Sequence, residues 1–328
     1  MRAPAFWDDS TGRFSLAATA LTPAAWAYAA AHRLRWRLAR PARAPVPVVC
    51  VGNLVAGGAG KTPVALAIAA YMRSRGATPH FLSRGYGGSA AGPLRVDASR
   101  HTEKEVGDEA LLLAAVAPTW IARDRAAGAD LAAASGATAV ILDDGFQNPG
   151  LTKDVSLVVV DGTYGLGNGR TLPAGPLRES VAFGMQRASA LIVVGGDAPP
   201  VAAGTVPVLH AALLPTADAR ARLAGARVVA FAGIGRPGKF FDTLESIGCT
   251  VVTRCNFPDH YRYRPRELTR LRAEAYAANA RLVTTTKDWM RLSDRSGIDV
   301  LDVTLEFAET AALDRVLAPA LPRTPSRT

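Results

Sequence analysis

Cysteine is scarce in this 328-residue chain: Cys50, Cys249 and Cys255 are its three. Their spacing matches neither a disulfide framework nor a zinc site. Cys50 lies inside an apolar run and reads as a small buried hydrophobe, and such a chain suits a reducing cytosol. Aromatic residues make up only 7%, and no domain-sized stretch interleaves them with basic ones, so no nucleic-acid partner is expected. No uninterrupted apolar run reaches the roughly 20 residues of a membrane-spanning helix. Negative charge is short as well. The 28 acidic residues face 38 basic ones, a net charge of +10 that suits an anionic partner such as a nucleotide or an acidic lipid surface. What is present is the composition of a packed enzyme, 49% hydrophobic and 20% charged. The length accommodates one large α/β domain or a core plus a smaller one.

The stretch VPVVCVGNLVAGGAGKTPVALAIAAYMR, residues 46–73, organises the rest. An apolar run breaks into a glycine-rich turn, and a helical pattern begins at Lys61, Thr62 and Pro63. Strand, loop and helix in that order form a phosphate-binding P-loop. Gly57, Gly58 and Gly60 allow backbone N–H groups to turn inward. Lys61 is expected to reach the β- and γ-phosphates of ATP, and the Thr62 hydroxyl to hold Mg²⁺. One position departs from the G-x-x-x-x-G-K-[ST] consensus, with Val55 where glycine is usual.

Ahead of this loop, residues 16–31 are mostly small and apolar, and five arginines follow (Arg33, Arg35, Arg37, Arg40, Arg43). A signal peptide carries its positive charge before the apolar run, not after it. Together with Trp26, Tyr28 and Trp36, the segment 1–45 reads as an interfacial helix on an anionic leaflet. The competing reading is a core-packed helix with a solvated basic end. After the P-loop, strands are expected at 77–85, 118–124, 138–144, 154–162 and 188–196, alternating with helices. That alternation means a mostly parallel α/β sheet covered on both faces. Residues 46–225 are thus read as the core. A second strand–turn–helix series makes 226–318 a smaller C-terminal α/β lobe, and 319–328 is expected to be a disordered tail. The turn at 232–238 superficially resembles a dinucleotide fingerprint, but its third glycine is misplaced.

Several residues carry candidate chemistry. Asp143 and Asp144 end an apolar strand, where carboxylates beside a P-loop serve Mg²⁺. Asp108 and Glu109 open a helical run and read on their own as a dipole-complementing acid pair. His260, in Phe257-Pro258-Asp259-His260-Tyr261, follows a strand and is a candidate to support a general base. Arg178 is the best anion clamp among loop arginines that include Arg84, Arg123, Arg125 and Arg170.

Taken in order, GNLVAGGAGKTP (52–63), SRGYGG (83–88), VGDEA (106–110), LDDGFQN (142–148), LPAGPLRE (172–179), FPDHYRY (257–263) and TTTKD (284–288) resemble the tetraacyldisaccharide 4'-kinases of lipid A biosynthesis. The resemblance covers about residues 45–290, and that family tolerates a non-glycine at the position of Val55. It implies a P-loop core with a smaller C-terminal lobe and transfer of the ATP γ-phosphate to a lipid A disaccharide 1-phosphate. It further implies Lys61 and Thr62 on phosphate and Mg²⁺, Asp143 and Asp144 on the metal, Glu109 nearby, and Gln147 in the nucleotide region. Asp108 would be the base supported by His260, and Tyr86, Arg125 and Arg178 would hold phosphates or disaccharide. Asn148 departs from the histidine usual after DDGFQ. No obligate protein partner is implied, and the enzyme would work on the cytoplasmic face of the inner membrane. The rival reading is a P-loop GTPase-like regulatory or metal-chaperone protein, but the chain has no guanine-reading N-K-x-D motif.

Overall fold

The computed structural model describes residues 4–8, 15–196 and 205–322. The described residues form two compact units, one of Leu213–Thr304 and the other of those up to Ala212 together with those from Leu305 onward.

In the larger unit β1 (Val48–Gly52), β2 (Pro79–Ser83), β3 (Leu94–Arg95), β4 (Thr119–Ile121), β5 (Ala139–Asp143), β6 (Val155–Asp161), β7 (Ala190–Val194) and β8 (Val208–Pro215) follow one another, with helices between most of them. β1, β2, β4 and β5 are buried along their whole length, as are β6 and β7. Strands covered on both faces read as continuous apolar runs, which is why VVCVG and AVILD were recognisable. Neighbours pair in parallel except at β3, which runs antiparallel to β4.

The smaller unit holds β9 (Arg227–Ala232), β10 (Thr250–Asn256), β11 (Arg281–Thr285) and β12 (Ile298–Leu301), all parallel, in the order β10-β9-β11-β12. Its core includes Ala219 and Leu223 of the helix Ala217–Leu223, so packing begins before the boundary expected at 226. The chain then supplies β13 (Val303–Phe307) to the large sheet, whose order is β13-β8-β7-β6-β1-β5-β2-β4-β3. In chain order the smaller unit therefore interrupts the larger one, which the chain leaves within β8 and rejoins within β13. Of the expected disordered tail, residues 323–328 lie outside the described residues, whereas Ala318–Ala320 form a 3₁₀ turn with Ala320 buried.

The N-terminal segment forms helices at Leu16–Ala20 and Thr22–Leu38. Among the described residues no helix is long and apolar enough to cross a membrane.

Candidate active site

The site grows from the end of β1. Val51 pairs with Asp143 across the β1–β5 ladder, and the Asp144 N–H donates to the Val51 carbonyl at 2.9 Å. The loop after Gly52 and the aspartates after β5 therefore emerge side by side at the strands' carboxyl ends, where open α/β sheets bind ligands. Gly60 caps the helix Lys61–Ser74 in the left-handed region at φ 81°, and Gly57 sits at φ 120°. Side chains at either position would be strained, which accounts for two of the loop's glycines. Val55 needs no glycine. It is 3% exposed, packs in the core and bridges Leu177 in antiparallel fashion. Flanking bonds tie the loop to the same segment: Ala56 N–H to the Pro176 carbonyl, and Arg178 N–H to the Leu54 carbonyl, each 2.7 Å. The P-loop is thus zipped to the segment carrying Arg178.

That zipper delivers Arg178 to Asp144. The guanidinium donates to Asp144 Oδ1 at 2.9 Å, and Lys61 Nζ lies 3.7 Å from the same oxygen. Burial would raise the Asp144 carboxyl, but Lys61 and Arg178 outweigh it and hold the group below the ordinary carboxylate range. Two cations focused on one carboxylate form a cluster with positive charge to spare, ready for an anion. Gln147 braces the loop: its Nε2 donates to the Asn53 carbonyl at 2.8 Å and to Glu179 Oε1 at 3.0 Å. Asn53 in turn donates to the Val55 carbonyl at 2.8 Å. Asn148, the departure from the family pattern, accepts the Gly150 N–H at 2.7 Å and so serves the turn itself.

Asp143 differs from its neighbour. The Thr62 hydroxyl donates to its Oδ2 at 3.3 Å, while Oδ1 is buried without a hydrogen-bond partner. Burial, then the nearby charge of Glu109, pushes the carboxyl up to about 7, with Lys61 opposing. Among the described residues no cluster of three or more His, Cys, Asp or Glu exists that could hold a metal. Mg²⁺ in nucleotide sites needs only one or two carboxylates, a hydroxyl, phosphate oxygens and waters. An orphaned carboxylate oxygen beside a P-loop threonine fits that demand.

A folded-state value above the ordinary one means Asp143 costs no stability below its ordinary value of 3.8, destabilises the metal-free fold increasingly as pH rises from there to about 7, and costs the full amount above it. Asp143→Asn should therefore raise the thermal midpoint in EDTA more at pH 8 than at pH 5. Equal shifts at the two pH values would contradict this, as would a shift that falls with pH.

Asp108 is 7% exposed and begins the helix Asp108–Ala114. Gly107 precedes it at φ 85°, and a Cβ there would meet the Tyr86 carbonyl oxygen at 2.3 Å. The glycine thus lets the RGYGG loop lie against the helix start, which places Tyr86, 69% exposed, beside the acid pair along the backbone. The charge of Glu109 is felt at Asp143, which sets the VGDEA helix start within electrostatic reach of LDDGFQ. Arg125 is not the loop residue it was expected to be. It opens the helix Arg125–Ala134, is 6% exposed, donates to the Ala122 carbonyl and leaves its Nε without a partner. Burial, with Arg84 nearby, lowers its guanidinium to about 10, and Asp144 is within its electrostatic reach.

His260 belongs to the smaller unit. It sits at φ 58°, with its backbone N–H bonded to the Gly233 carbonyl at 3.1 Å and Nδ1 3.2 Å from Arg291. Arg291 donates to Asp288 at 3.1 Å, and the fully buried Asp288 also accepts the Gly233 N–H and the Tyr263 hydroxyl, both at 3.0 Å. The FPDHYRY and TTTKD motifs are therefore one construction that fixes the His260 turn. Glu179, Asn53, Asp288 and Arg291 escaped the residue-level reading. The signal for two of them was an acid inside a motif already picked out for its arginine or lysine.

Comparison with known proteins concerns the chain as a whole. The family model described as tetraacyldisaccharide-1-P 4'-kinase, LpxK, matches residues 17–322. A tetraacyldisaccharide 4'-kinase of Rhodospirillum centenum is 56% identical over 98% of this chain and 97% of its own length. That of Rhodospirillum rubrum is 51% identical over 98% of this chain and 100% of its own. A crystal structure of LpxK from Aquifex aeolicus in complex with ATP superposes with a TM-score of 0.75 at 26% identity, covering 93% of this chain and 99% of that one. The P-loop, its paired aspartates and the full-length likeness together show that this chain belongs to the tetraacyldisaccharide-1-phosphate 4'-kinase family.

Proposed function

We propose that this protein transfers the γ-phosphate of ATP to the 4'-hydroxyl of a tetraacyldisaccharide 1-phosphate, giving lipid IVA. The observation that carries the reading is the convergence of Lys61 and Arg178 on Asp144, next to the Thr62–Asp143 pair, at the mouth of a P-loop. Phosphoryl transfer asks the protein mainly for positioning and charge stabilisation. The N–H groups of the loop from Gly57 to Thr62 cradle the phosphates, and Lys61 and Arg178 neutralise charge on the transferred group. Gln147 keeps the loop in register. Thr62, Asp143 and Asp144, with Glu109 nearby, hold Mg²⁺, which supplies further charge neutralisation when bound. Asp108 takes the proton of the sugar hydroxyl, and Tyr86 and Arg125 hold phosphates or the disaccharide.

The test is ATP-dependent phosphorylation of a disaccharide 1-phosphate lipid with the position of the new phosphate determined. Nucleotide hydrolysis that leaves the lipid unmodified, or a preference for GTP, would favour the regulatory P-loop reading.

We further propose that the enzyme works on the cytoplasmic face of the inner membrane, lying on the anionic leaflet through its N-terminal helix. The helix Thr22–Leu38 buries the stripe containing Ala25, His32 and Trp36. Its other side exposes Trp26 (71%), Leu34 (55%) and Leu38 (72%) beside Arg33, Arg35 and Arg37. An apolar face flanked by arginines binds headgroups by both area and charge. At about 1 kcal/mol per charge near the surface, Arg35→Gln with Arg37→Gln should weaken partitioning onto anionic vesicles about thirtyfold. Equal sedimentation of variant and parent at low salt would remove the interfacial role.

A further inference from the structure

Glu179 is the most deeply buried carboxylate of the larger unit that the proposed chemistry does not use, 1% exposed. Its two oxygens face in different directions. Oε1 accepts from Gln147, which braces the P-loop at the Asn53 carbonyl. Oε2 accepts from Arg187 at 2.5 Å and lies 3.6 Å from His32 Nε2. The Arg187 guanidinium is sandwiched by aromatic rings, 4.1 Å from the Trp36 centroid and 4.2 Å from Phe183. The Trp36 indole N–H donates to His32 at 3.1 Å. His32 and Trp36 are the inward stripe of the same helix whose outward side carries Trp26 and Leu34. Opposing interactions hold the buried carboxylate charged: burial raises it, but the contacts with His32, Arg187 and Gln147 bring it below its ordinary range.

We propose that Glu179 is a positioning residue of the nucleotide site and that it joins the docking of the N-terminal helix to the register of the P-loop. The inference rests on the reading that ATP is bound at this loop. A chain of direct contacts runs from Trp36 and His32 through Arg187 and Glu179 to Gln147 and the Asn53 carbonyl. Gln147 Oε1 also lies 3.5 Å from Arg178, the partner of Asp144. A helix that shifts on the core moves Arg187 and His32 first. The buried charge of Glu179 must then follow them or lose Arg187, its neutralising partner, and either outcome disturbs Gln147. Contact of the helix with lipid is in this way felt at the phosphates.

The experiment measures affinity for a non-hydrolysable ATP analogue with Mg²⁺, in full-length protein without lipid, alongside the thermal midpoint. Glu179→Gln keeps the shape and an acceptor but removes the charge that holds Arg187. Outer partners of this kind cost about 10–100-fold, so a loss of tenfold or more is expected. Trp36→Ala removes the platform of Arg187 and should weaken the analogue severalfold. The double variant should be no weaker than Glu179→Gln alone, because both act on one network. His32→Ala, at a half-buried position, carries the same prediction without touching the buried acid. A helix that served only the membrane would leave analogue binding unchanged in Trp36→Ala and His32→Ala, and that result overturns the coupling. Binding within twofold of wild type in a normally melting Glu179→Gln overturns the positioning role. Since no lipid is present, failure of the proposed acceptor reaction leaves this readout intact. Wild-type protein unable to bind the analogue overturns both readings.

Discussion

Lys61→Ala is expected to reduce kcat for lipid phosphorylation by roughly 10³-fold, about 4 kcal/mol of transition-state stabilisation, while the protein stays folded. The size follows from geometry. Lys61 opens the helix after the P-loop, is 11% exposed, and points its ammonium toward Asp144, so its charge is available to a phosphate entering beside that carboxylate. Developing charge on a transferred phosphoryl group is neutralised chiefly by such preplaced cations. Stability should change little, because Asp144 keeps Arg178 at 2.9 Å and is a third exposed. Steady-state kinetics and a melting curve check both halves. Undiminished turnover in a folded variant would remove the P-loop assignment and the kinase reading with it.

Asp108→Asn is the second large effect, a fall in kcat of about 10²–10⁴-fold, the usual contribution of general-base catalysis. The substitution preserves shape at a buried helix start, so the RGYGG loop and Gly107 keep their places. Affinity for ATP should stay within about twofold, because in this reading Asp108 acts on the acceptor hydroxyl and not on the phosphates. Loss of ATP affinity with kcat retained would instead make Asp108 part of the nucleotide site. A pH–rate profile adds an independent check, since loss of the base should remove the acid limb of the wild-type curve.

Lys61 was legible because the signals around it are local, whereas the role of Asp108 came only from the family resemblance, since its own motif reads as a helix-start acid pair. A strand, a glycine turn and a helix within 28 residues are the local pattern of a phosphate cradle, and DDG after an apolar strand is the pattern from which a metal neighbour is expected. The parallel core was legible for the same reason, since strands buried on both faces are unbroken apolar runs. Edge elements were not. β3 is two residues long, and β8 and β13 carry mixed burial that has no clean period. The insertion of Leu213–Thr304, which starts within β8 and ends within β13, was hidden with them, because a chain that leaves a sheet and returns has no compositional mark.

Residue roles divide along the same line. Sequence by itself determined the nucleotide chemistry, the pair of aspartates, the basic N-terminal helix and the family, since each depends on neighbours within a few positions or on motifs in order. Tertiary structure alone decided that Val55 packs where a P-loop usually has glycine, through its bridge to Leu177. It also decided that Asp143 and Asp144, adjacent in the chain, have opposite environments. Burial raises both and Lys61 opposes it at both, but Glu109 adds to burial at the one and Arg178 joins Lys61 at the other. The role of Glu179 was hidden for the same reason: its partners His32 and Gln147 lie 147 and 32 residues away. Local pattern specifies which groups a chain can offer. Their charge states and partners depend on distances that only packing sets, because desolvation and Coulomb interaction act through space and not along the backbone.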